Sequence, residues 1–339
     1  MAQSLAVKYR PQTFDEVIHQ ESIVRILKRQ IETKTFKNAY LFCGSSGSGK
    51  TTSARLLAKA INENVGHPIE IDAASNNGVE NMRAIVNSAT ERAIDSKYKI
   101  YIIDEAHALS NSSWQALLKC IEEPPEFTIF IFCTTDPQKI PATILNRVQR
   151  YNFTRVPSDK IEARLQYICQ QEKFTNYIDT CSYISKNCNG GLRDAISMLE
   201  KCAGFSSDLS IQTALESLGI CSYDTFFNLI NNMIDGDEKA VINLIDTIYQ
   251  QGIDLKLFID QLISFCLDIS KYIIVKDIHV TKLPDSFEDI VNKSINFDNS
   301  NKYYIYVIDN LINLKTTLKQ DTSIKDTVTI FLLKITRCE

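Results

Sequence analysis

A glycine-rich segment carries the first residues whose types and spacing could do chemistry. Residues 44–51 read Gly-Ser-Ser-Gly-Ser-Gly-Lys-Thr, which fits the pattern G-x-x-x-x-G-K-[ST]. The apolar run 39–43 before it predicts a strand, and residues 51–61 after it predict a helix. Between such elements, glycines let backbone N–H groups surround phosphate oxygens, and the helix N-terminus adds positive charge. The sequence therefore predicts a phosphate-binding loop.

The loop predicts a nucleoside triphosphate ligand, which we take to be ATP, together with Mg²⁺. Lys50 is expected to reach the β- and γ-phosphates, and the hydroxyl of Thr51 is expected to ligate Mg²⁺. The residues predicted to bind the nucleotide at this loop are Gly44, Ser45, Ser46, Gly47, Ser48, Gly49, Lys50, Thr51 and Thr52.

Two adjacent carboxylates, Asp104 and Glu105, follow a second apolar run at residues 100–103. Ligands of parallel sheets bind beyond the carboxyl ends of the strands, so this position suits both side chains. Asp104 is expected to hold the Mg²⁺ shell, and Glu105 to orient and deprotonate the attacking water. His107 lies just beyond them, where a packed or hydrogen-bonded turn residue is favoured over a catalytic one.

The alternation of apolar strands with helical stretches predicts how these residues are positioned. It extends from residue 38 to residue 153, and it is typical of a parallel sheet covered by helices on both faces, an α/β fold. Beyond the runs named above, strands are predicted at 68–72 and 127–133. Helices are predicted at 79–94 and around Trp114, where apolar residues recur at helical spacing.

The chain after residue 156 is predicted to be helical. Three short helices are expected between residues 159 and 201, interrupted at Gly190-Gly191, and amphipathic helical stripes continue from Leu209 to the end. The weakest pattern is 276–301, which is rich in Asp, Asn and Ser and predicts loops around one short helix.

Composition limits the classes of function. The 339 residues are 44% hydrophobic and 23% charged with a net charge of −4, whereas proteins that only grip nucleic acid are usually basic. No apolar run approaches the ~18 residues of a membrane span, and the first residues show no signal peptide, so we expect a cytoplasmic protein without a membrane partner. The ten cysteines form no C-x-x-C pair, so buried thiols are predicted and no zinc is expected.

Six further segments share their order and spacing with a known family. They are Lys8-Tyr-Arg-Pro-Gln-Thr-Phe-Asp-Glu-Val17, Ile71-Asp-Ala-Ala-Ser75, Asp104-Glu-Ala-His-Ala-Leu-Ser110, Glu122-Glu-Pro-Pro125, Thr134-Thr-Asp-Pro-Gln-Lys139 and Gly190-Gly-Leu-Arg-Asp-Ala195. Together with the phosphate-binding loop, they resemble the AAA+ clamp-loader subunits, most closely the bacterial gamma/tau branch of DNA polymerase III. The resemblance extends from Lys8 to the C-terminus and is strongest before Glu200.

The resemblance implies a domain organisation and a function. It implies an AAA+ nucleotide-binding domain at 1–156, a small helical lid at 157–207 and an all-α collar at 208–339 that holds subunits in a ring. It further implies an ATPase that opens a sliding clamp and loads it onto primer-template DNA during DNA replication. The implied partners are the clamp, the DNA and the other subunits of a ring of five, and neighbouring subunits share each active site.

The resemblance also implies roles for residues outside the loop. Thr135 matches a sensor of the γ-phosphate, and Arg193 matches a lid arginine that reaches the phosphates of its own subunit. The residues implied to line the adenine pocket are Tyr9, Arg10, Pro11, Val17 and Ile18. For Tyr9, packing in the core is the alternative.

One implied role crosses the boundary between subunits. Arg147 matches an arginine that enters the ATP site of the next subunit and contributes about 10³-fold or more in rate. The family usually has Ser-Arg-Cys at this place, whereas this chain has Asn146-Arg147-Val148. The arginine is therefore kept while the neighbours that shape its turn are changed.

Two departures from the family pattern alter the expected ligands. Relatives usually carry a four-cysteine zinc module where this chain has only the connector 62–67, so zinc is not expected. The segment 75–78, at the start of a predicted helix, lies where the family contacts the DNA backbone, often with basic residues. Asparagine side chains and N–H groups at helix ends can also bind phosphate. The residues predicted to contact DNA are Ser75, Asn76, Asn77, Gly78 and Asn111.

Two other classes of function stay open. One is a different AAA+ machine, such as a branch-migration motor, although the C-terminal region shows no DNA-binding module. The other is a non-hydrolysing scaffold subunit of a loader, which the intact loop and carboxylate pair disfavour. The expected clamp-binding surface is the end of the helix predicted at 79–94 together with the loop 95–97.

Overall fold

A computed structural model describes most of the chain, namely residues 3–283, 288–295, 300–318 and 323–336. By internal contacts the chain divides into two compact units, Met1–Leu165 with Cys188–Ser197, and Gln166–Asn187 with Met198–Glu339. The three-domain division expected above stays a prediction. Within the described residues, no helix is both long and apolar enough to cross a bilayer.

The first unit is built on a five-stranded parallel sheet. Its strands are β1 (Ala39–Cys43), β2 (Ile69–Asp72), β3 (Lys99–Asp104), β4 (Thr128–Thr134) and β5 (Gln149–Asn152). They lie in the order β2-β3-β4-β1-β5, and every neighbouring pair is parallel. Strands β1 and β4 are buried along their whole length, which explains why they are continuous apolar runs in the sequence.

Helices cover both faces of this sheet, as predicted. They are α1 (Leu5–Lys8), α2 (Glu21–Glu32), α3 (Lys50–Ile61), α4 (Val79–Ala89), α5 (Asn111–Glu122) and α6 (Ala142–Leu145), with 3₁₀ helices at Phe14–Glu16, Ala106–Ala108 and Pro137–Lys139. Alternate residues of β1 point to opposite faces. Tyr40 and Phe42 pack in a cluster with Leu57 of α3, whereas Leu41 packs in a second cluster with Trp114 of α5.

The described residues from 158 onward are mainly helical, again as predicted. Its helices are α7 (Ser158–Glu172), α8 (Ile178–Asn187), α9 (Leu192–Phe205), α10 (Ile211–Leu218), α11 (Tyr223–Ile234), α12 (Glu238–Gln250), α13 (Leu255–Val275), α14 (Glu288–Ser294), α15 (Ser300–Thr317) and α16 (Ile324–Thr336), with a 3₁₀ helix at Ile278–Val280. Helix α14 is the short helix predicted within 276–301, and the parts of that prediction at 284–287 and 296–299 lie outside the described residues.

The helix predicted at 79–94 is shorter than expected, because α4 ends at Ala89. Thr90 closes its last turn, since its hydroxyl donates a hydrogen bond to the carbonyl oxygen of Asn87 at 2.7 Å. Ile94, the last residue of the predicted helix, is fully exposed. The prediction of helix beyond Ala89 was therefore wrong.

The cysteines are buried, as the sequence predicted. The nine cysteines within the described residues have buried side chains, and Cys338 lies outside those residues. Burial raises the pKa of the Cys133 thiol and raises that of Cys221 to about 11. A thiol in such surroundings stays protonated near neutral pH and is a poor nucleophile.

Candidate nucleotide-binding site

The sheet order brings three loops together at one edge. Strand β4 lies between β1 and β3, and its last residue Thr134 pairs with Cys43, the last residue of β1. Parallel strands end at the same edge, so the loops after β1, β3 and β4 must meet there. These are the loops that carry the phosphate-binding motif, the carboxylate pair and Thr135.

The phosphate-binding loop connects β1 to α3 through left-handed backbone conformations. Gly47 has a φ of +70° and Gly49 a φ of +98°, values that glycine adopts without steric cost. Helix α3 begins directly after Gly49, so its unpaired N–H groups face the loop. The loop therefore has the backbone form that an anion site at a helix N-terminus requires.

The side chain of Gln20 supports the phosphate-binding loop, a role that the sequence did not predict. Its buried amide nitrogen donates to the carbonyl oxygens of Ser48 at 3.3 Å and Thr154 at 2.9 Å. This single side chain ties the phosphate-binding loop to the segment that follows β5. No local sequence motif indicates such a contact, because Gln20 and Thr154 are 134 positions apart.

Lys50 is the buried cation of the site. Its ammonium group donates to the carbonyl oxygens of Gly44 at 2.8 Å and Ser45 at 2.9 Å. Burial lowers the pKa of Lys50, because desolvation disfavours the charged amine, while the carboxylates of Glu105 and Asp104 act in the opposite direction. The site thus holds a partly desolvated positive group beside two negative ones.

A hydroxyl and a carboxylate lie together at the predicted Mg²⁺ position. The Thr51 hydroxyl donates to Oδ2 of Asp104 at 2.7 Å, and Oδ1 of Asp104 accepts from the backbone N–H of Glu105 at 3.0 Å. Oxygen ligands of this kind suit Mg²⁺. These two side chains, which the sequence predicted from motifs more than fifty residues apart, fit the ion through their chemistry and their closeness.

Glu105 is held from two sides. Its backbone is left-handed, with a φ of +47°, which is uncommon for a residue with a side chain. Its Oε2 accepts from the Thr135 hydroxyl at 3.3 Å and lies 3.4 Å from Nδ1 of His107. The same ring nitrogen lies 3.3 Å from the hydroxyl of Thr134. His107 is thus a hydrogen-bonded turn residue that borders Glu105.

These groups open onto one cavity of about 280 Å³. Its walls include most of the residues predicted to bind nucleotide and several that were not predicted. The predicted residues on the wall are Tyr9, Arg10, Pro11, Val17, Ile18, Ser46, Gly47, Ser48, Gly49, Lys50, Thr51, Thr52, Asp104, Glu105 and Arg193, and the additional ones are Ala6, Arg55, Val156, Leu192 and Ile196. Gly44, Ser45 and Thr135 lie behind the wall and contact Lys50 or Glu105.

Arg55 is an unpredicted cation on this wall. Its Nε and Nη2 donate to the two carboxylate oxygens of Glu70 at 2.7 and 2.6 Å. This bidentate pair fixes the guanidinium plane and raises the pKa of Arg55. Arg55 follows Thr51 by one turn of α3, a spacing that could have indicated a residue facing the same cavity.

The start of α9 contacts the phosphate-binding loop directly. The N–H of Leu192 donates to the carbonyl oxygen of Gly47 at 3.2 Å. A Cβ atom at Gly47 would lie only 2.9 Å from the Cα of Gly191, so the approach needs glycine at Gly47. It places Arg193, the next residue of α9, on the cavity wall with an exposed side chain.

Arg147 lies away from this cavity, in the turn after α6. Its Nη2 is 2.7 Å from Oε1 of Glu122, and its Nη1 donates to the carbonyl oxygen of Thr143 at 2.6 Å. Both charged side chains are a little over one third exposed. Arg147 is not among the residues that line the cavity of its own chain.

The predicted DNA-contact residues come together on the surface. Residues 75–78 form an exposed loop before α4, and Asn111 is the exposed first residue of α5. The hydroxyl of Ser113 donates to the carbonyl oxygen of Asn77 at 2.6 Å, which ties this loop to the start of α5. The two segments, separate in the sequence, thus form one polar surface at two helix N-termini.

Two models of protein families match the chain. The model of the DNA polymerase III delta subunit matches residues 62–157, and the model of domain III of the DNA polymerase III subunits gamma and tau matches residues 209–294. The first falls in the unit that contains the cavity, and the second falls in the helical region.

Curated proteins give a consistent result over most of the chain. DNA polymerase III subunit gamma/tau of Mycoplasma genitalium is 34% identical over 91% of this chain and 55% of the relative. DNA polymerase III subunit gamma of Buchnera aphidicola subsp. Baizongia pistaciae is 31% identical over 89% of this chain and 88% of the relative. The chain thus spans about half the length of the Mycoplasma protein and most of the Buchnera protein.

A solved structure shares the fold at low sequence identity. The RuvB Holliday junction branch migration motor of Thermotoga maritima aligns with a TM-score of 0.52 and 17% identity, over 73% of this chain and 86% of that one. This likeness supports the AAA+ fold. The level of identity and coverage in the Buchnera protein, together with the two family models, shows that the chain belongs to the gamma/tau family of DNA polymerase III subunits.

Proposed function

We propose that the chain is the ATP-hydrolysing subunit of a clamp loader, which opens a sliding clamp and loads it onto primer-template DNA during replication. The observation that carries the proposal is the convergence of Lys50, Thr51 and Asp104 at one sheet edge, in a chain of the gamma/tau family. A glycine-rich turn that merely joined a strand to a helix would need neither the buried ammonium group nor the hydroxyl–carboxylate pair.

ATP binds in the cavity between the N-terminal segment and the phosphate-binding loop. Tyr9, Arg10, Pro11, Val17 and Ile18 surround the adenine, since they line the same cavity as the loop. The backbone N–H groups at the start of α3, the loop residues 44–52 and the Lys50 ammonium group contact the phosphates.

Thr51 and Asp104 hold Mg²⁺, which neutralises charge on the phosphates when it is bound. The 2.7 Å contact between their oxygens supports this assignment, because both side chains already converge on one point.

Glu105 orients the attacking water and accepts its proton. Its contacts with Thr135 and His107 support this role, because they fix the direction of the carboxylate. Thr135 links that carboxylate to the end of β4 and senses the γ-phosphate. Arg193, on the cavity wall, adds positive charge from the same subunit.

Arg147 completes the site of a neighbouring subunit. An arginine that serves another chain must lie outside its own cavity and stay accessible, and Arg147 meets both conditions. Such an arginine stabilises the charge of the transition state and contributes about 10³-fold or more in rate. ATP therefore turns over within a ring of five subunits, and the isolated chain is a poor ATPase.

The outer surface carries the partner contacts. Residues 75–78 and Asn111 bind the DNA backbone, which is supported by their shared exposed surface at two helix N-termini. The sliding clamp binds the segment after α4, where Ile94 is fully exposed beside the loop 95–97.

ATP turnover by the reconstituted complex tests the proposal. The chain is assembled with the loader subunits and sliding clamp of its source, and turnover is measured with primer-template DNA or with four-way junction DNA of equal length. We expect primer-template DNA to stimulate turnover in a clamp-dependent way. Stimulation by the junction alone would support a branch-migration motor instead, and the absence of turnover in every mixture would support a scaffold.

A further inference from the structure

Glu122 contacts Arg147 through its side chain, and neither the motifs nor the family comparison assigns it a role. Glu122 is the last residue of α5, and Arg147 follows α6. The carboxylate binds Nη2 at 2.7 Å, while the Thr143 carbonyl oxygen accepts from Nη1 at 2.6 Å. The guanidinium group is thus fixed at two points, on two different elements.

These two contacts leave most of the guanidinium group available. An arginine side chain has five N–H donors. The hydrogen bond to Thr143 uses one on Nη1, and the ion pair with Glu122 faces Nη2. Nε and the second hydrogen of each Nη remain to bind phosphate oxygens. The contacts therefore restrict the direction of the side chain without occupying all of its donors.

A contribution to folding stability does not by itself account for the ion pair between Glu122 and Arg147. Both partners are more than one third exposed, and ion pairs at such positions contribute little to folding because water and salt screen them. A long, flexible arginine, by contrast, must lose many rotamers before it can act on a transition state. Fixing its direction beforehand reduces the entropy lost during the reaction.

We propose that Glu122 is a positioning residue, which holds Arg147 in the direction needed to reach the ATP site of the neighbouring subunit. The proposal rests on the proposed function, because it requires that Arg147 act between subunits. Glu122 itself touches no nucleotide and acts only through the arginine.

Substitution of Glu122 in the assembled complex tests the proposal. In Glu122→Ala the guanidinium loses its carboxylate partner, so kcat for ATP should fall by about 10- to 100-fold, with KM for ATP unchanged. Glu122→Gln keeps an oxygen acceptor without the charge and should recover part of the loss. Glu123→Ala, which removes an exposed carboxylate at the next position, is the matched control and should retain full turnover.

Two further measurements separate positioning from other roles. The thermal midpoint of Glu122→Ala should stay close to that of the control, since an exposed pair contributes little to folding. Glu122→Ala should add no further loss to Arg147→Ala, because both act through one group. Unchanged or increased turnover in Glu122→Ala, or additive losses in the double variant, would overturn the role of Glu122. Full turnover in Arg147→Ala would instead overturn the proposed function.

Discussion

At the scale of single residues, the site depends on a small number of charged groups held by the backbone. The Lys50 ammonium lies within 2.9 Å of two loop carbonyl oxygens, so the loop itself fixes its position. Asp104 likewise has one carboxylate oxygen bound by a backbone N–H and the other by a hydroxyl. Nucleotide binding should therefore be sensitive to the chemical group at these positions rather than to the fold as a whole.

Lys50→Ala should abolish ATP binding and clamp loading. The substitution removes the cation expected to contact two phosphates, and each charge-assisted contact contributes about 1.5–3 kcal/mol. Binding of a fluorescent ATP analogue measures the loss. Lys59→Ala, which removes an exposed lysine from the same helix, is the control. Equal nucleotide affinity in Lys50→Ala and the control would count against the phosphate-binding assignment.

From the sequence alone, we predicted the residues of the candidate site that lie in local sequence motifs. Lys50 and Thr51 follow from the loop motif, and Asp104 follows from its place after an apolar strand. Gln20 and Arg55 were missed, because their roles depend on partners that the fold brings near, Thr154 and Glu70. A contact between residues 134 positions apart leaves no local periodicity to recognise.

At the scale of elements, a close backbone approach joins the phosphate-binding loop to the start of α9. Gly47 has a φ of +70°, and its missing side chain lets the backbone of Gly191 lie against it. The N–H of Leu192 then reaches the carbonyl oxygen of Gly47. This contact couples the position of the first turn of α9, and hence of Arg193, to the conformation of the loop.

Gly47→Ala should destabilise the protein and weaken ATP binding. The new Cβ would lie 2.9 Å from the Cα of Gly191, and the left-handed backbone adds strain of about 1–3 kcal/mol. Gly204→Ala, on α9 in open space, should instead stabilise by about 0.5–1 kcal/mol. Denaturant unfolding of both variants measures the difference. A Gly47→Ala protein as stable as Gly204→Ala would contradict the close contact.

Two elements differ from the sequence prediction, one that was missed and one that was predicted too long. Strand β5 is four residues long at the sheet edge, and only Tyr151 is buried in it, so it shows neither an apolar run nor an alternation. Helix α4 was predicted to continue to residue 94, whereas it ends at Ala89 and the Thr90 hydroxyl donates to the carbonyl oxygen of Asn87. The central strands, whose interior residues are all buried, were predicted to within one or two residues.

At the scale of the whole molecule, the proposed chemistry is incomplete within one chain. Glu105 lies on the cavity wall, whereas Arg147 lies away from it. If one active site combines Glu105 of one subunit with Arg147 of the next, two different defects can complement each other.

Arg147→Ala should leave ATP binding largely intact but reduce DNA-stimulated turnover by about 10³-fold. Mixing it with Glu105→Gln subunits should restore part of the activity, because some interfaces then combine an intact glutamate with an intact arginine. Turnover of reassembled complexes across mixing ratios measures this. Arg150→Ala, an exposed arginine three positions away, is the control. Absence of recovery at every ratio would argue against action between subunits.

Purified protein should contain no stoichiometric zinc. The connector 62–67 contains one histidine and no cysteine, whereas a structural zinc site usually requires four ligands. Among the residues that the structure describes, no group of three or more His, Cys, Asp or Glu side chains is arranged to hold a metal ion. Elemental analysis after dialysis against a weak chelator measures the content. One tightly held zinc ion per chain would overturn the expectation.

The rate at which the buried cysteines react with an alkylating reagent reports local unfolding of the chain. Because the nine described thiols are shielded, an alkylating reagent should modify them only when the segment around each one unfolds. Cys43 is the last residue of β1 and Cys133 the last but one of β4, close to the candidate nucleotide cavity. Cys266 lies in α13 of the helical unit. Mass spectrometry of the labelled peptides would time the opening of each unit separately, without an introduced probe. Bound ATP should slow labelling at Cys43 and Cys133 while Cys266 keeps its own rate.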